Sequence, residues 1–167
     1  MGGKVAQLVA ATHPAGLAGL VLVGSGPAKP APGITPEYQA GLSHAYDSEA
    51  SVAGARDTVL TATELTEELK AQVVADSRLS AEDAHTEWPL HGIAQDITGQ
   101  TQKIDVPVMV IAGEHDHVEP ADVLRHNLLP YLAKAQFETI PATGHLIPLE
   151  APGALAEAIG AFSPPAR

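Results

Sequence analysis

The fold predicted for this chain rests first on residues 106–120, which read VPVMVIAGEHDHVEP. The run up to Ala112 is continuously apolar, which is typical of a strand buried on both faces in a parallel sheet. Pro107 is tolerated because it stands near the start of that strand. Pro120, after the polar turn, is well placed to begin a helix. This stretch therefore predicts a buried strand, a turn rich in ionisable groups and then a helix.

Two further apolar runs predict strands on either side of this one. Residues 20–23 read LVLV and are closed by a glycine-rich turn, and residues 137–140 form a third, shorter strand. A helix is predicted over residues 4–13, where Val5, Leu8, Val9 and Thr12 recur at helical spacing. The last helix is predicted to begin at Pro152 and to bury one face, made of Leu155, Ile159 and Phe162. This alternation predicts an α/β fold with a parallel sheet of about three strands and flanking helices.

A different composition separates the first predicted strand from the second. Residues 27–36 hold four prolines and a glycine, which predicts a loop. From residue 43 to residue 99 the pattern is helical and more polar, and we interpret it as a helical insertion. The predicted domains are therefore an α/β core, residues 1–29 and 101–167, and a helical cap, residues 30–100.

Polar caps predict two helix starts within this insertion. Thr61 followed by Glu64 has the spacing of a capping box, ahead of apolar residues at four-residue spacing. Ser80 followed by Asp83 predicts the start of a second helix, which Trp88-Pro89 is expected to end.

Composition narrows the classes of function. The 167 residues carry 9 basic and 20 acidic side chains, a formal net charge of −11 at pH 7. A nucleic-acid partner is therefore not expected, because a polyanion would be repelled. The chain contains no cysteine, which excludes disulfides and thiolate metal sites. No apolar run approaches the roughly 20 residues that span a bilayer, so we expect a cytoplasmic protein with no membrane partner.

Two ionisable residues follow neighbouring predicted strands, Asp116 after the second and His145 after the third. Ligands of parallel sheets gather at the carboxyl ends of the strands, so both side chains are expected at one edge. A carboxylate there can accept the imidazole Nδ1–H and stabilise the imidazolium that forms in general-base catalysis. The spacing is equally compatible with an ordinary acid at a helix start and an ordinary loop histidine.

A metal site is a second interpretation of the same region, with His115, Asp116, His117 and His145 as ligands. On an extended segment, however, His115 and His117 point away from Asp116. Zinc also requires three or four convergent ligands. We therefore predict no metal. The turn at residues 24–27 lacks the lysine and the spacing of a phosphate-binding loop.

Several segments together carry a resemblance to a known family. GEHDHVEP (113–120) is similar to the glycine, acid and proline segment after the seventh strand of α/β-hydrolases, and TGHLIPLEAP (143–152) is similar to their catalytic-histidine segment. MGGKVAQ (1–7) is similar to the end of their nucleophile elbow and the helix behind it. Residues 20–23 match the sixth strand and residues 30–100 the cap. The chain thus resembles the C-terminal portion of an α/β-hydrolase over essentially its whole length.

This resemblance implies a truncated α/β-hydrolase fold and a hydrolase of carboxylic ester or related acyl bonds that uses a Ser-Asp-His triad. Asp116 would orient His145, and His145 would move the proton. Met1 falls on the position after the nucleophile, whose backbone N–H serves the oxyanion hole; here it is a charged amino terminus. The nucleophile would immediately precede Met1, so the chain itself is expected to contain none and to be inactive alone. The implied partner is a small ester-like molecule, and no cofactor is implied.

A non-catalytic fragment or binding remnant is the alternative. Three parallel strands with an open first edge would expose apolar backbone and the inner face of the first helix. Such a chain is expected to aggregate, to need a partner or to fold poorly. The candidates for lining a pocket under the cap are Trp88, Tyr38, Tyr46 and Leu90.

Overall fold

The sheet has three parallel strands. The computed structural model describes residues 1–162, and its strands are β1 (Leu20–Val23), β2 (Val108–Gly113) and β3 (Ala135–Ile140), in the order β1-β2-β3. Each strand overlaps a run that the sequence predicts as a strand. The α/β class and the partial parallel sheet are therefore confirmed.

The strand register sets the ends of β2 and β3 level with each other. β2 pairs with β3 along its whole length, from Val108 opposite Ala135 to Gly113 opposite Ile140. β2 begins after Pro107 rather than before it, because a proline has no N–H to donate to a neighbouring strand. The loops that leave β2 and β3 therefore start side by side.

Helices cover both faces of the sheet. α1 (Gly2–Ala10) precedes β1, α7 (Ala121–Asn127) and a 3₁₀ turn (Leu129–Tyr131) join β2 to β3, and α8 (Ile147–Glu150) and α9 (Pro152–Ala161) follow β3. None of the helices within residues 1–162 is long and apolar enough to cross a membrane.

Alternate residues of β2 feed two separate apolar layers. The layer on the side of α1 and α7 includes Val108, Val110, Leu22, Leu124 and Leu128. The layer on the side of α8 and α9 includes Met109, Ile111, Ile140, Ile147 and Leu155. Every residue of β2 is buried, which is the burial expected of a central parallel strand.

Between β1 and β2 the chain forms short helices. They are α2 (Pro36–Ser43), α3 (Glu49–Ala55) with a π-helical turn (Arg56–Leu60), α4 (Glu67–Arg78), α5 (Glu82–Glu87) with a second π-helical turn (Trp88–Gly92), and α6 (Thr98–Thr101). Every residue of α2, α4 and α5 is at least partly exposed. We call residues 36–101 the helical segment; its separation from the core as a cap domain stays a prediction.

Both predicted caps in the helical segment are wrong. Thr61 does not cap a helix, because its hydroxyl donates back to the Arg56 carbonyl at 2.9 Å and closes the preceding π-helical turn. The cap of α4 is Thr66, whose hydroxyl accepts from the Leu69 N–H at 3.3 Å. The next helix is preceded by Ala81, without a side-chain cap, rather than by Ser80.

α5 ends at Glu87, immediately before Trp88 and Pro89, as predicted. The chain continues into the wider π-helical turn, in which the Ile93 N–H donates to the Trp88 carbonyl at 2.8 Å. Pro89 is the second residue of that turn, and its missing N–H cannot continue the α-helical hydrogen bonds of α5.

The predicted core faces of α1 and α9 need correction. In α1 the buried residues are Lys4, Gln7 and Ala10, whereas Val5 and Val9 are 54% and 53% exposed. Periodicity identified the helix but not the side that faces the protein, because the buried side is partly polar. The helix also ends at Ala10, before His13, which has a left-handed φ of 54°.

In α9 the buried positions are Leu155 and Ala158, and Phe162 packs against them. Ile159, predicted to share that face, is exposed instead. The buried side of this helix is therefore rotated by about one residue from the predicted side, onto Ala158.

Candidate active site

Asp116 lies three residues beyond β2 and is buried. Its Oδ1 accepts hydrogen bonds from the N–H groups of Val118, at 2.8 Å, and Glu119, at 2.9 Å. These bonds turn the chain toward α7 and hold the carboxylate in one orientation, as aspartate side chains do at turns. The other oxygen, Oδ2, is left to face the loop that follows β3.

That loop carries His145, and the two side chains meet. His145 Nδ1 lies 2.8 Å from Asp116 Oδ2, in a contact that buries the carboxylate while the imidazole stays partly exposed. Burial acts to raise the pKa of Asp116, but the hydrogen bond and charge of His145, with the N–H groups of Glu119 and Val118, lower it below its ordinary value. The ionised carboxylate can hold the ring with Nδ1 protonated and Nε2 available to exchange a proton.

The loops that bear the pair are bonded to each other. The His115 N–H donates to the Thr143 carbonyl at 2.9 Å, and Glu114 Oε2 accepts from the Ala142 N–H at 2.8 Å. Ala142 adopts a left-handed φ of 52° within this turn. The Asp116–His145 distance is thus supported by backbone contacts as well as by the side chains.

The glycine-rich turn after β1 packs against two side chains of this region, His145 and Glu119. Gly24 has a φ of 51°, and a Cβ there would lie 3.2 Å from His145 Cε1. Two residues on, a Cβ at Gly26 would lie 3.4 Å from Glu119 Oε1 and 3.5 Å from Trp88 Cη2. The glycines let the backbone pass close to His145 and Glu119.

Glu119 is a site residue that the sequence reasoning missed. It is 7% exposed, and within residues 1–162 its carboxyl group has no hydrogen-bond or ion-pair partner. Burial, reinforced by the charge of Asp116, raises the pKa of Glu119 to about 8, against the opposing effects of the amino terminus and Lys4. The carboxyl group is therefore largely protonated at neutral pH. Its only signal in the sequence is an acid three residues after Asp116.

Lys4 is a second residue near the site that the sequence did not reveal. Its ammonium donates to the carbonyls of Gly92, Ile93 and Gln95, at 3.2, 3.0 and 2.6 Å. Burial is the main cause that lowers the pKa of Lys4, although Glu119 acts to raise it. The side chain thus fastens the start of α1 to the end of the helical segment.

A buried polar network behind α1 accounts for Ser25. The Gln7 side-chain amide donates to the Ser25 hydroxyl and to the Gly26 carbonyl, and its carbonyl accepts from Thr101 at 3.1 Å. The Ser25 hydroxyl donates to the Gly26 carbonyl at 3.0 Å. Within residues 1–162, Asp116 is the sole side chain that hydrogen-bonds the His145 ring, so none of the described serine hydroxyls is engaged by His145.

Met1 precedes α1, with its side chain exposed. Burial lowers the pKa of its amino group, and Glu119 acts in the opposite direction, which places the two groups in each other's field. The carbonyl of Met1 accepts from the Lys4 N–H at 3.0 Å. Its role in an oxyanion hole stays a prediction.

The four predicted lining residues do not share one site. Trp88 lies beside Gly26 and 5.9 Å below the Lys4 ammonium, near Glu119. The charge of Glu119 acts to raise the pKa of Tyr38, for which burial is the main cause. Tyr46 stacks instead on His85, with ring centroids 4.5 Å apart, and Leu90 is exposed.

The residues weighed as metal ligands are spread out. His115 and His117 are exposed, and His115 lies 3.8 Å from Glu114 rather than beside His145. Within the part of the chain that the structure describes, no group of three His, Cys, Asp or Glu side chains converges as metal ligands would.

Comparison with solved structures identifies the architecture. An α/β-hydrolase enzyme from a Medee basin deep-sea metagenome library superposes with a TM-score of 0.71 at 18% sequence identity, over 99% of this chain and 64% of the other. The chain has part of the α/β-hydrolase fold. An enol-lactonase from Burkholderia xenovorans LB400 shares this hydrolase fold with a TM-score of 0.77 at 19% identity, over 97% of this chain and 62% of the other. A thermophilic esterase from Thermogutta terrifontis superposes with a TM-score of 0.71 at 24% sequence identity, over 96% of this chain and 60% of the other.

The predicted resemblance to the α/β-hydrolase fold is thereby confirmed. This chain spans between 53% and 64% of the lengths of such solved chains. No protein-family model and no curated protein matches the sequence. At these identities the likeness shows the hydrolase fold.

Proposed function

We propose that this chain supplies the acid and the base of a Ser-Asp-His triad in a hydrolase of carboxylic esters or related acyl bonds. Asp116 orients and stabilises the His145 imidazolium, and His145 moves the proton between the nucleophile and the leaving group. The nucleophile is assigned to a segment on the N-terminal side of Met1, next to the position where α1 begins.

The observation that carries this proposal is the 2.8 Å contact between Asp116 Oδ2 and His145 Nδ1. It lies where the loops after β2 and β3 meet, at the carboxyl ends of the strands, where parallel sheets place their ligands. The similar solved proteins include an esterase and an enol-lactonase, which supports acyl bonds as the substrate class. A small ester is therefore the substrate to test first.

The first test reads the coding sequence immediately upstream of the Met1 codon. An in-frame Gly-x-Ser is expected there. The longer protein should then hydrolyse short-chain nitrophenyl esters, and Asp116→Asn and His145→Ala should each lower kcat by about 10⁴-fold or more, because the members of a triad act as a unit. His117→Ala is the matched control, since His117 is an exposed neighbour of Asp116.

Two results would contradict the proposal. A longer protein that keeps its kcat after both substitutions does not use this pair. A stop codon or an unrelated sequence before Met1 favours the alternative, a non-catalytic binding remnant. That alternative draws support from the exposed Val5 and Val9 on α1, which offer an apolar surface to a partner.

A further inference from the structure

Glu150 ends α8, five residues after His145, and reaches back toward it. Its Oε1 accepts a hydrogen bond from the Gly144 N–H at 3.0 Å. Gly144 directly precedes His145, so one carboxylate oxygen holds the residue next to the imidazole.

The other oxygen of Glu150 binds a different part of the chain. Oε2 accepts from the N–H of Ala62 at 2.7 Å, from the N–H of Thr63 at 2.9 Å and from the Thr63 hydroxyl at 3.2 Å. Ala62 and Thr63 follow the π-helical turn Arg56–Leu60 of the helical segment. A single side chain thus joins the histidine loop to the helical segment.

The same two segments also meet backbone to backbone. The Leu60 carbonyl accepts from the N–H of His145 at 2.8 Å and from the N–H of Leu146 at 3.1 Å. A Cβ at Gly144 would lie 2.7 Å from the Ala62 nitrogen and 2.9 Å from the Leu60 oxygen. The segments are therefore in contact at His145 with no side chain between them.

We propose that Glu150 is a positioning residue for His145, which it holds by fastening the histidine loop to residues 60–63 of the helical segment. A displacement of the helical segment is then transmitted to the imidazole through Gly144 and the Leu60 carbonyl. The functional meaning of this link rests on the role proposed for His145, but the link itself does not.

The energetics favour a local effect over a global one. Hydrogen bonds to a carboxylate are stronger than those between neutral groups, and Glu150 accepts four hydrogen bonds, three from N–H groups and one from the Thr63 hydroxyl. α8 is only four residues long, and a single helical turn is marginal without outside contacts. Water can replace the carboxylate at the exposed Ala62 and Thr63, so loss of Glu150 should loosen the loop without unfolding the sheet.

The test uses NMR of the protein at its natural length with Glu150→Ala, and with Glu157→Ala as the matched control on the exposed side of α9. Glu150→Ala should speed hydrogen exchange of the His145 and Leu146 amides about tenfold or more, the change that follows from loss of about 1.4 kcal/mol. It should also weaken the downfield signal of the His145 Nδ1 proton and raise the pKa of Asp116, which loses its bond to His145. Glu157→Ala should change none of these.

Unchanged exchange, Nδ1 signal and Asp116 pKa in folded Glu150→Ala would overturn the inference. If that variant does not fold, the same measurements are made on Glu150→Gln, whose amide keeps one acceptor oxygen but turns an NH₂ group toward donors that the carboxylate accepts from. Changes in the same direction but smaller than those expected for Glu150→Ala support the inference. Exchange rates and signals of Glu150→Gln that equal those of the wild type overturn it. These signals come from the imidazole and its neighbours, so they are independent of whether the triad hydrolyses esters.

Discussion

The end of the central strand β2 and the helical segment differ in how they are stabilised. β2 is buried at every residue, and the turn that follows it buries the ionisable Asp116 and Glu119. In the helical segment, by contrast, α2, α4 and α5 expose at least part of every residue. The starts of α2 and α4 are fixed by hydroxyl caps at Thr35 and Thr66.

This difference separates long-range from local stabilisation. The strand ends depend on apolar layers from distant parts of the chain, and that burial perturbs the charged groups next to them. The helical segment depends on caps and on exposed polar contacts, each of which contributes little to the free energy of unfolding. The largest effects of substitution are therefore expected at the strand ends.

Glu119→Gln tests the buried side of the comparison and should have the largest effect. In the folded chain the pKa of Glu119 is about 8, above its ordinary value of 4.5. The folded state then binds more protons than the unfolded state between these values, so stability falls as pH rises from about 4.5 through about 8. Removing the carboxyl group should abolish that decline, which amounts to at most about 5 kcal/mol.

Chemical denaturation at a series of pH values measures this effect. Glu68→Gln, on the exposed face of α4, is the control and should leave the decline in place. A wild-type stability that does not decrease over this range, or that decreases equally in Glu119→Gln, would show that Glu119 ionises freely in the fold.

Lys4→Met tests the joint between the two regions and should have an intermediate effect. The variant removes the donor of three carbonyls in the helical segment, at a cost of about 2 kcal/mol in unfolding free energy. It also removes a cation that lowers the pKa of Glu119, which should rise further. The control is Lys29→Met, at an exposed lysine. Equal midpoints of urea denaturation for the two variants would show that the hydrogen bonds of Lys4 to the helical segment do not stabilise the fold.

Thr66→Ala tests the helical segment and should have the smallest effect. It removes the hydroxyl that accepts from the Leu69 N–H at the start of α4, which is worth about 1 kcal/mol. Hydrogen exchange should quicken in the first turn of α4 and stay unchanged in β2. Thr86→Ala, on the exposed side of α5, serves as control. Equal quickening in β2 would mean that the two regions unfold together.

The same contrast explains what the sequence predicted. The three strands and the Asp116–His145 pair follow from continuous apolar runs and from the rule that parallel strands end at one edge. The caps at Thr61 and Ser80 were wrong because hydroxyl residues are frequent in the helical segment and several fit the spacing. Lys4 and Glu150 act through partners distant in sequence, and Glu119 is buried by the folded chain around it; no local pattern specifies either feature.

The prediction of the buried side of α1 was wrong for a related reason. An apolar-periodic reading selects Val5 and Val9, yet the helix buries Lys4 and Gln7 because carbonyl and amide partners satisfy them. A polar stripe of this kind can be recognised only when its partners are known.

The close approach at the end of β2 has a consequence for how the site tolerates change. The carbonyl oxygens of Thr143 and Gly144 lie against Gly113, where a Cβ would overlap them. The spacing between acid and histidine is thus set by strand register and by backbone contact between the two loops. A single methyl group at Gly113 would wedge the two loops apart. The site is therefore sensitive to one added carbon atom at the point where its two loops touch.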